Sequence, residues 1–313
     1  MKFTSPRKAA VLTISLALAL TATGCNRGES GAEGSSSVTL ALSTLNNPFF
    51  VELRDGAEAA AKEAGIELKV VDAQNDSATQ TNQLATAATS GTDGVIINPV
   101  DSDAAAAAVA PLISGDIPVV AADRAVNGAE VKSLVSSDNV AGGKQAADEL
   151  AKAMGNEGKV IVLQGVAGTS ASRDRGAGFE EGIAAYPGIE VVAMQTANFD
   201  RAEALNVATN LLQANPGITG IFAENDEMAL GAIQALGNRA GSEVKVVGFD
   251  GTEGGLAAIK EGTMTATIAQ QPAELGKRSV EVLQKVLAGE TVEETIPVPV
   301  TTVNTENVGE FTK

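Results

Sequence analysis

From Val38 to near the C terminus the chain keeps one beat, a short β-branched run followed by a longer stretch of helical period. The runs are 38–43, 67–72, 94–98, 118–123 and 131–136, then 159–163, 189–193, 220–223, 244–249 and 265–269. Helical stretches lie between them at 48–64, 80–90, 102–114, 139–154, 172–185, 201–214, 226–240 and 254–261. Strand–helix alternation of this kind predicts parallel sheets with helices on both faces. Two sets of about five strands predict two α/β domains, which a length of 313 residues can accommodate.

The N terminus has a different character. Lys2, Arg7 and Lys8 precede a mostly apolar run from Ala9 to Leu20, the pattern of a secretory signal. A permanent membrane span needs ~20 residues, so this run is too short to be one. Ala22-Thr23-Gly24 leads into Cys25, the only cysteine. That arrangement resembles a bacterial lipoprotein signal, although Ala22 stands where such signals favour Leu. The expectation is a signal peptide over 1–24, lipidation at Cys25 and a flexible Gly/Ser-rich tether over 25–37. The protein is then extracytoplasmic and held at the cell membrane through a lipid anchor alone.

Composition excludes several kinds of chemistry. The chain has no His, so neither a Ser-His-Asp triad nor a Cys-His pair can be built, and the commonest zinc ligand is missing. Neither a P-loop nor a Cys/His metal set occurs, and no cofactor is expected. There are 22 Lys and Arg against 39 Asp and Glu, a net charge of −17. Cleavage after residue 24 removes three cations and brings it to −20. Nucleic acid, which is bound through clustered cations, is an unsuitable partner.

The candidate site lies where the strands run out. Asn98, Asp123-Arg124, Asn225, Asp250 and Gln270 follow or close five of the runs. In open parallel sheets, ligands bind outside the carboxyl ends of the strands. Asn and Gln both donate and accept, Asp accepts, and Arg donates as a planar fork, a mixture that suits sugar hydroxyls. Asp123 and Asp250 balance Arg124 and Arg175, so a charged ligand would be left uncompensated. Phe49, Phe50, Phe199 and Phe249 are half of the eight Phe and sit beside strand ends or loops, where aromatic faces can cover a sugar ring. The residues point to a small, neutral, hydroxyl-rich ligand.

A family resemblance rests on many short motifs. They include Ser43-Thr44-Leu45-Asn46-Asn47-Pro48-Phe49-Phe50, Ile97-Asn98-Pro99, Asp123-Arg124 and Gly168-Thr169-Ser170. Asn198-Phe199-Asp200-Arg201, Glu224-Asn225-Asp226-Glu227-Met228, Gly248-Phe249-Asp250-Gly251 and Ala266-Thr267-Ile268-Ala269-Gln270 continue the series. In number, order and spacing they resemble the ribose/galactose-type family of bacterial periplasmic sugar-binding proteins of ABC transporters, from Val38 to the low three hundreds. The resemblance implies the periplasmic binding protein type I fold: two similar Rossmann-like lobes joined by a three-segment hinge near Ser137, Gln270 and Pro299. It implies an N-terminal lobe of 38–137 plus 271–299 and a C-terminal lobe of 138–270 plus 300–313.

The resemblance also implies that Asn47, Asn98, Asp123 and Arg124 bind sugar from the first lobe, with Arg175, Asn225, Asp250 and Gln270 doing so from the second lobe and hinge. Phe49 and Phe50 on one side, with Phe199 and Phe249 on the other, would sandwich the ring. It implies a monomer that delivers D-ribose to a membrane permease. Allose, xylose or a furanose-like signalling molecule are alternative ligands. Two other classes compete: a glycosidase using Asp123 and Asp250, and a transcription regulator, whose DNA-binding helices would stand where this chain has its signal and tether.

Overall fold

The computed structural model describes residues 35–312, so the expected signal peptide, Cys25 and most of the tether lie outside the described residues. The chain runs β1 (Ser37–Leu42), α1 (Pro48–Ala64), β2 (Glu67–Asp72), α2 (Ser77–Ala87), β3 (Gly94–Ile97), α3 (Ala105–Ser114), β4 (Val119–Ala122) and β5 (Ser133–Ser137). There follow α4 (Asn139–Ala153), β6 (Glu157–Gln164), α5 (Ser170–Ile183), β7 (Gly188–Thr196), α6 (Arg201–Ala214), β8 (Ile218–Ala223), α7 (Asp226–Leu236), β9 (Lys245–Asp250), α8 (Glu253–Lys260) and β10 (Ala266–Ala269). Then come α9 (Pro272–Leu287), β11 (Thr295–Val298), β12 (Thr301–Asn304) and the short α10 (Val308–Phe311).

The strands form two six-stranded sheets, ordered β11-β5-β4-β3-β1-β2 and β12-β10-β9-β8-β6-β7. Every pairing is parallel except β10 with β12, which is antiparallel. The two sheets organise two lobes. Sequence periodicity missed β11, β12 and α9. β11 contains Pro297 and lies at a sheet edge, where the missing N–H breaks no ladder but the strand pattern is blurred. Each lobe therefore has six strands rather than about five, and the second sheet is not wholly parallel.

Side-chain alternation shows why these runs became central strands. On β3, Ile96 enters one apolar cluster with Leu40, Phe49 and Leu275, while Val95 and Ile97 enter the opposite cluster with Leu84 and Leu112. On β6, Ile161 and Leu163 face one side and Val160 and Val162 the other. With both faces dry, the centres of β3 and β6 are apolar throughout. Helices begin where side chains cap them: Asp76 accepts from Thr79 N, so α2 starts at Ser77, three residues ahead of the expected start. The segment Gly176–Gly182, which carries small residues at helical spacing, lies wholly within α5. There a methyl on Gly178 would sit 2.2 Å from Val140 O of α4, so glycine permits this close crossing.

Strand order reverses between β3 and β1 in the first sheet, and between β8 and β6 in the second. The loops leaving these strands diverge there and open a crevice at the carboxyl ends. The chain passes from sheet to sheet between β5 and α4, between β10 and α9, and between β11 and β12. No helix among the described residues is long and apolar enough to cross a membrane.

Candidate functional site

The two crevices face each other and share one gap. It is lined by Asn47, Phe49, Phe50, Asp123 and Arg124 from the first lobe, and by Ala171, Arg175, Phe199, Asn225, Asp250 and Gln270 from the second lobe and its strand ends. About 250 Å³ of space free of protein atoms, part of it open to solvent, lies between them. Ten of the twelve ligand-binding residues expected from sequence come together here.

Local backbone geometry aims each side chain. Asn47 caps α1, its Oδ1 accepting from Phe49 N at 2.9 Å, and this brings Phe49 and Phe50 into the first helical turn at the gap. The two rings meet edge to face with centroids 5.1 Å apart. At the end of β4, Arg124 N donates to Ala122 O at 2.8 Å around Asp123, whose φ is 66°. This tight γ-turn places Asp123 and Arg124 side by side at the gap. Asp250 has φ of 124°, and Asn198 and Phe199 are also left-handed, at 54° and 57°. Four non-glycine residues at or beside one site thus hold an unfavourable backbone, which the surrounding fold must sustain.

The charges form a balanced set. Asp123 Oδ2 lies 3.6 Å from Arg124 Nε, and Asp250 Oδ1 lies 3.6 Å from Arg175 Nη1. All four side chains are buried. Burial pushes the Asp123 carboxyl upward, against the pull of Arg124, Arg175 and the hydrogen bond from Asn98. Burial likewise raises Asp250 well above the usual range, opposed by Arg175 and reinforced by the negative charge of Asp226. The Arg124 guanidinium is lowered by burial and supported by Asp123. It lies over Phe50 at 5.2 Å and Phe199 at 5.5 Å. Asp123 Oδ1, Arg124 Nε and Gln270 Oε1 are buried with no hydrogen-bond partner among the described residues. Such atoms are costly unless a ligand group meets them.

Asn98 and Phe249 lie behind the gap rather than on it. Asn98 Oδ1 accepts from Ser43 Oγ at 2.6 Å and Ser43 N at 3.3 Å, while its Nδ2 donates to Ala122 O and to Asp123 Oδ2. Its bonding capacity is used within the protein, and what it presents to the gap is Asp123. Phe249 is wholly buried with its ring 3.9 Å from the Arg175 guanidinium carbon, so it supports that arginine from beneath. The aromatic wall on the second lobe is Phe199 alone. Sequence reasoning missed Ala171, a small residue in the first turn of α5 with no chemical signature.

A second tier holds the first. Arg175 Nε donates to Asn139 Oδ1 at 2.9 Å and its Nη1 to Glu224 O at 2.7 Å. Gln270 Nε2 donates to Asp250 Oδ1 at 2.6 Å. Asp226, fully buried, accepts from Thr252 N, Thr252 Oγ1 and Thr267 Oγ1 and so braces the turn after Asp250. Burial raises its carboxyl to about 6 against those bonds.

Two α/β lobes that close a polar, charge-balanced and aromatic-walled gap over their strand ends define a solute-binding protein. The family model described as a periplasmic binding protein domain matches residues 38–291, and the chain belongs to that family. Its members act outside the cytoplasm. The ribose import binding protein RbsB of Salmonella typhimurium is 46% identical over 292 residues, covering 93% of this chain and 96% of its own. The RbsB of Bacillus subtilis is 45% identical over 270 residues, covering 86% and 88%. Among solved structures, an ABC transporter solute-binding protein from Bacillus halodurans C-125 with bound myo-inositol superposes with a TM-score of 0.84 at 34% identity, covering 90% of this chain and 98% of that one. These relatives are transport binding proteins, not enzymes, and the glycosidase and transcription-regulator alternatives give way to them.

Proposed function

We propose that this protein captures D-ribose between its two lobes and presents it, chemically unaltered, to an ABC transporter permease. The observation that carries this is the set of partnerless buried atoms, Asp123 Oδ1, Arg124 Nε and Gln270 Oε1, in a gap walled by Phe49, Phe50 and Phe199. One donor and two acceptors within a zero-sum charge set match a neutral polyol, and the flat rings match its C–H faces. The similarity to ribose import proteins selects ribose within that class.

In the mechanism, 38–137 plus 271–299 and 138–270 plus 300–313 move as two bodies about the three connecting segments. Sugar contacts both halves only in the closed form and so shifts the population toward it. Reversing a 1:99 bias takes ~5.5 kcal/mol of differential affinity. A few charge-assisted hydrogen bonds, at ~1.5–3 kcal/mol each, can supply it. The closed shape is what the permease reads. Residues 1–24 direct export, Cys25 is acylated, and 25–37 leash a monomeric globule to the membrane.

The test is a thermal-shift and calorimetric panel of D-ribose, D-allose, D-xylose and myo-inositol. Ribose should raise the melting temperature most, since ligand at 100 times Kd stabilises by ~2.7 kcal/mol. It should also be recovered intact. A panel without any shift, or a chemically changed pentose, overturns the proposal.

A further inference from the structure

Glu224 follows β8, one residue before Asn225, and is completely buried. Its Oε2 accepts from Gly165 N at 2.7 Å and from Ser172 Oγ. Its main-chain oxygen accepts from Arg175 Nη1 at 2.7 Å. Its Oε1 has no hydrogen-bond partner among the described residues and lies against Gly176 of α5, where an added methyl would sit 3.1 Å away. Glu224 is absent from the lining of the gap.

These contacts reach three ligand-facing parts of the second lobe. Ser172 and Gly176 belong to α5, the helix that carries Arg175. Gly165 underlies Phe199 so tightly that an added methyl would come within 2.0 Å of the ring. Asn225 is the next residue in the chain. We infer that Glu224 is a positioning residue for the second-lobe half of the gap, holding Arg175, Phe199 and Asn225 in register from behind. The inference rests on the sugar-binding proposal above.

A carboxyl in this place carries a pH-dependence. Burial raises Glu224 to about 7, against the pull of Ser172, Gly165 and the charge of Arg175. Arg175 is the charged group facing it from α5, and Asp250 on β9 shares that arginine. Asp226 at the start of α7 turns instead to Thr252 and Thr267. As a neutral acid, Glu224 leaves the Arg175 guanidinium to Asp250. Once ionised, it competes for that guanidinium and draws it from the gap. Sugar affinity then falls as pH rises through neutrality.

The experiment is calorimetric titration with D-ribose at pH 6 and pH 8.5 on the full chain and on its Glu224→Gln and Glu224→Ala variants. The unaltered protein should bind roughly threefold or more weakly at the higher pH, because a buried charge appears beside Arg175. Glu224→Ala should bind at least about tenfold more weakly at pH 6, since Gly165 N and Ser172 Oγ lose their acceptor. Glu224→Gln, which keeps that acceptor and cannot ionise, should recover most of the loss and show a clearly smaller difference between the two pH values than the unaltered protein. A Gln variant with the unaltered protein's pH response, or an Ala variant binding as tightly as the unaltered protein, overturns the inference. If Glu224→Ala does not fold, the pH response of Glu224→Gln decides alone. If the unaltered protein binds no ribose at either pH, the sugar-binding proposal itself has failed.

Discussion

Ser170 of the second lobe donates its main-chain N–H to Ser102 Oγ of the first at 3.1 Å. The same Ser170 accepts, through its own Oγ, from Ala125 N of the first lobe at 2.9 Å. Ser102 N returns a bond to Gly168 O at 3.1 Å, and Arg173 Nη1 reaches Asp103 Oδ2 at 3.3 Å nearby. Ser102 is fully buried, so the interlobe contact is protected from water on the first-lobe side. These bonds join the lobes without touching the lining of the gap.

Replacing Ser102 by Ala removes one such bond and biases the lobes toward the open form. A bond of this kind contributes ~0.5–1.5 kcal/mol, and apparent affinity scales with the binding-competent fraction. Calorimetry should show D-ribose binding weakened about two- to tenfold, with an unchanged far-UV spectrum. Unaltered affinity would mean that closure does not draw on this contact.

Arg124→Ala deprives Asp123 of its neighbouring cation and removes the flat group between Phe50 and Phe199. Removing one member of a buried ion pair leaves an uncompensated charge, at ~3–5 kcal/mol, so ribose affinity should fall by well over tenfold. Affinity retained within twofold in calorimetry would show that the gap is not the binding site.

Asn98→Ala acts one layer deeper. It strands Ser43 Oγ and Asp123 Oδ2 together, two groups from different loops. Urea denaturation should report a loss of ~1–3 kcal/mol, and ribose affinity should drop because Asp123 is no longer held. A variant of full stability with normal affinity would show that Asn98 does not position Asp123.

Gly165→Ala places a methyl within 2.0 Å of Phe199 Cζ. Phe199 must swing out of the gap or the loop must shift, at ~1–3 kcal/mol for overpacking. Weaker ribose binding is expected alongside a lowered melting temperature. Normal binding would show that the Phe199 ring is not part of the sugar-covering wall.

Folding stability should fall as pH rises from weakly acidic to neutral. Glu224 has an ordinary value of 4.5 and is raised to about 7 in the fold, so over that interval the folded state binds more protons than the unfolded one. Stability from this group is full below about 4.5 and lost as pH climbs through 7. At 1.36 kcal/mol per unit, the swing is about 3 kcal/mol. Melting curves from pH 5 to 8 should show this decline, and Glu224→Gln should flatten it. Parallel curves for the two proteins would contradict the burial effect at Glu224.

Much of this molecule could be read before any coordinates. β2, α1 and α6 begin and end where their patterns do, because period-2 and 3.6-residue repeats are local properties of the chain. Asp123, Arg124, Asn225, Asp250 and Gln270 were legible because a polar residue closing an apolar run has nowhere to go but the carboxyl edge of the sheet, whereas Asn47 was implied by the family resemblance. β11 was obscured by Pro297, and the antiparallel β12 breaks the parallel alternation that revealed the others.

Tertiary structure decided which polar side chains were already spent. Asn98 and Asp123 end consecutive strands of the same sheet and look alike in sequence. Yet Asn98 saturates itself on Ser43, 55 positions away, while Asp123 keeps a free oxygen. Phe249 and Phe199 are equally apolar, but one lies wholly buried beneath Arg175 and the other lines the gap. Glu224 became informative only when Gly165, 59 positions distant, proved to be its donor. Hydrophobic period is a property of neighbours along the chain, so it is written in order. Hydrogen-bond saturation depends on neighbours in space, and those exist only once the sheets have assembled.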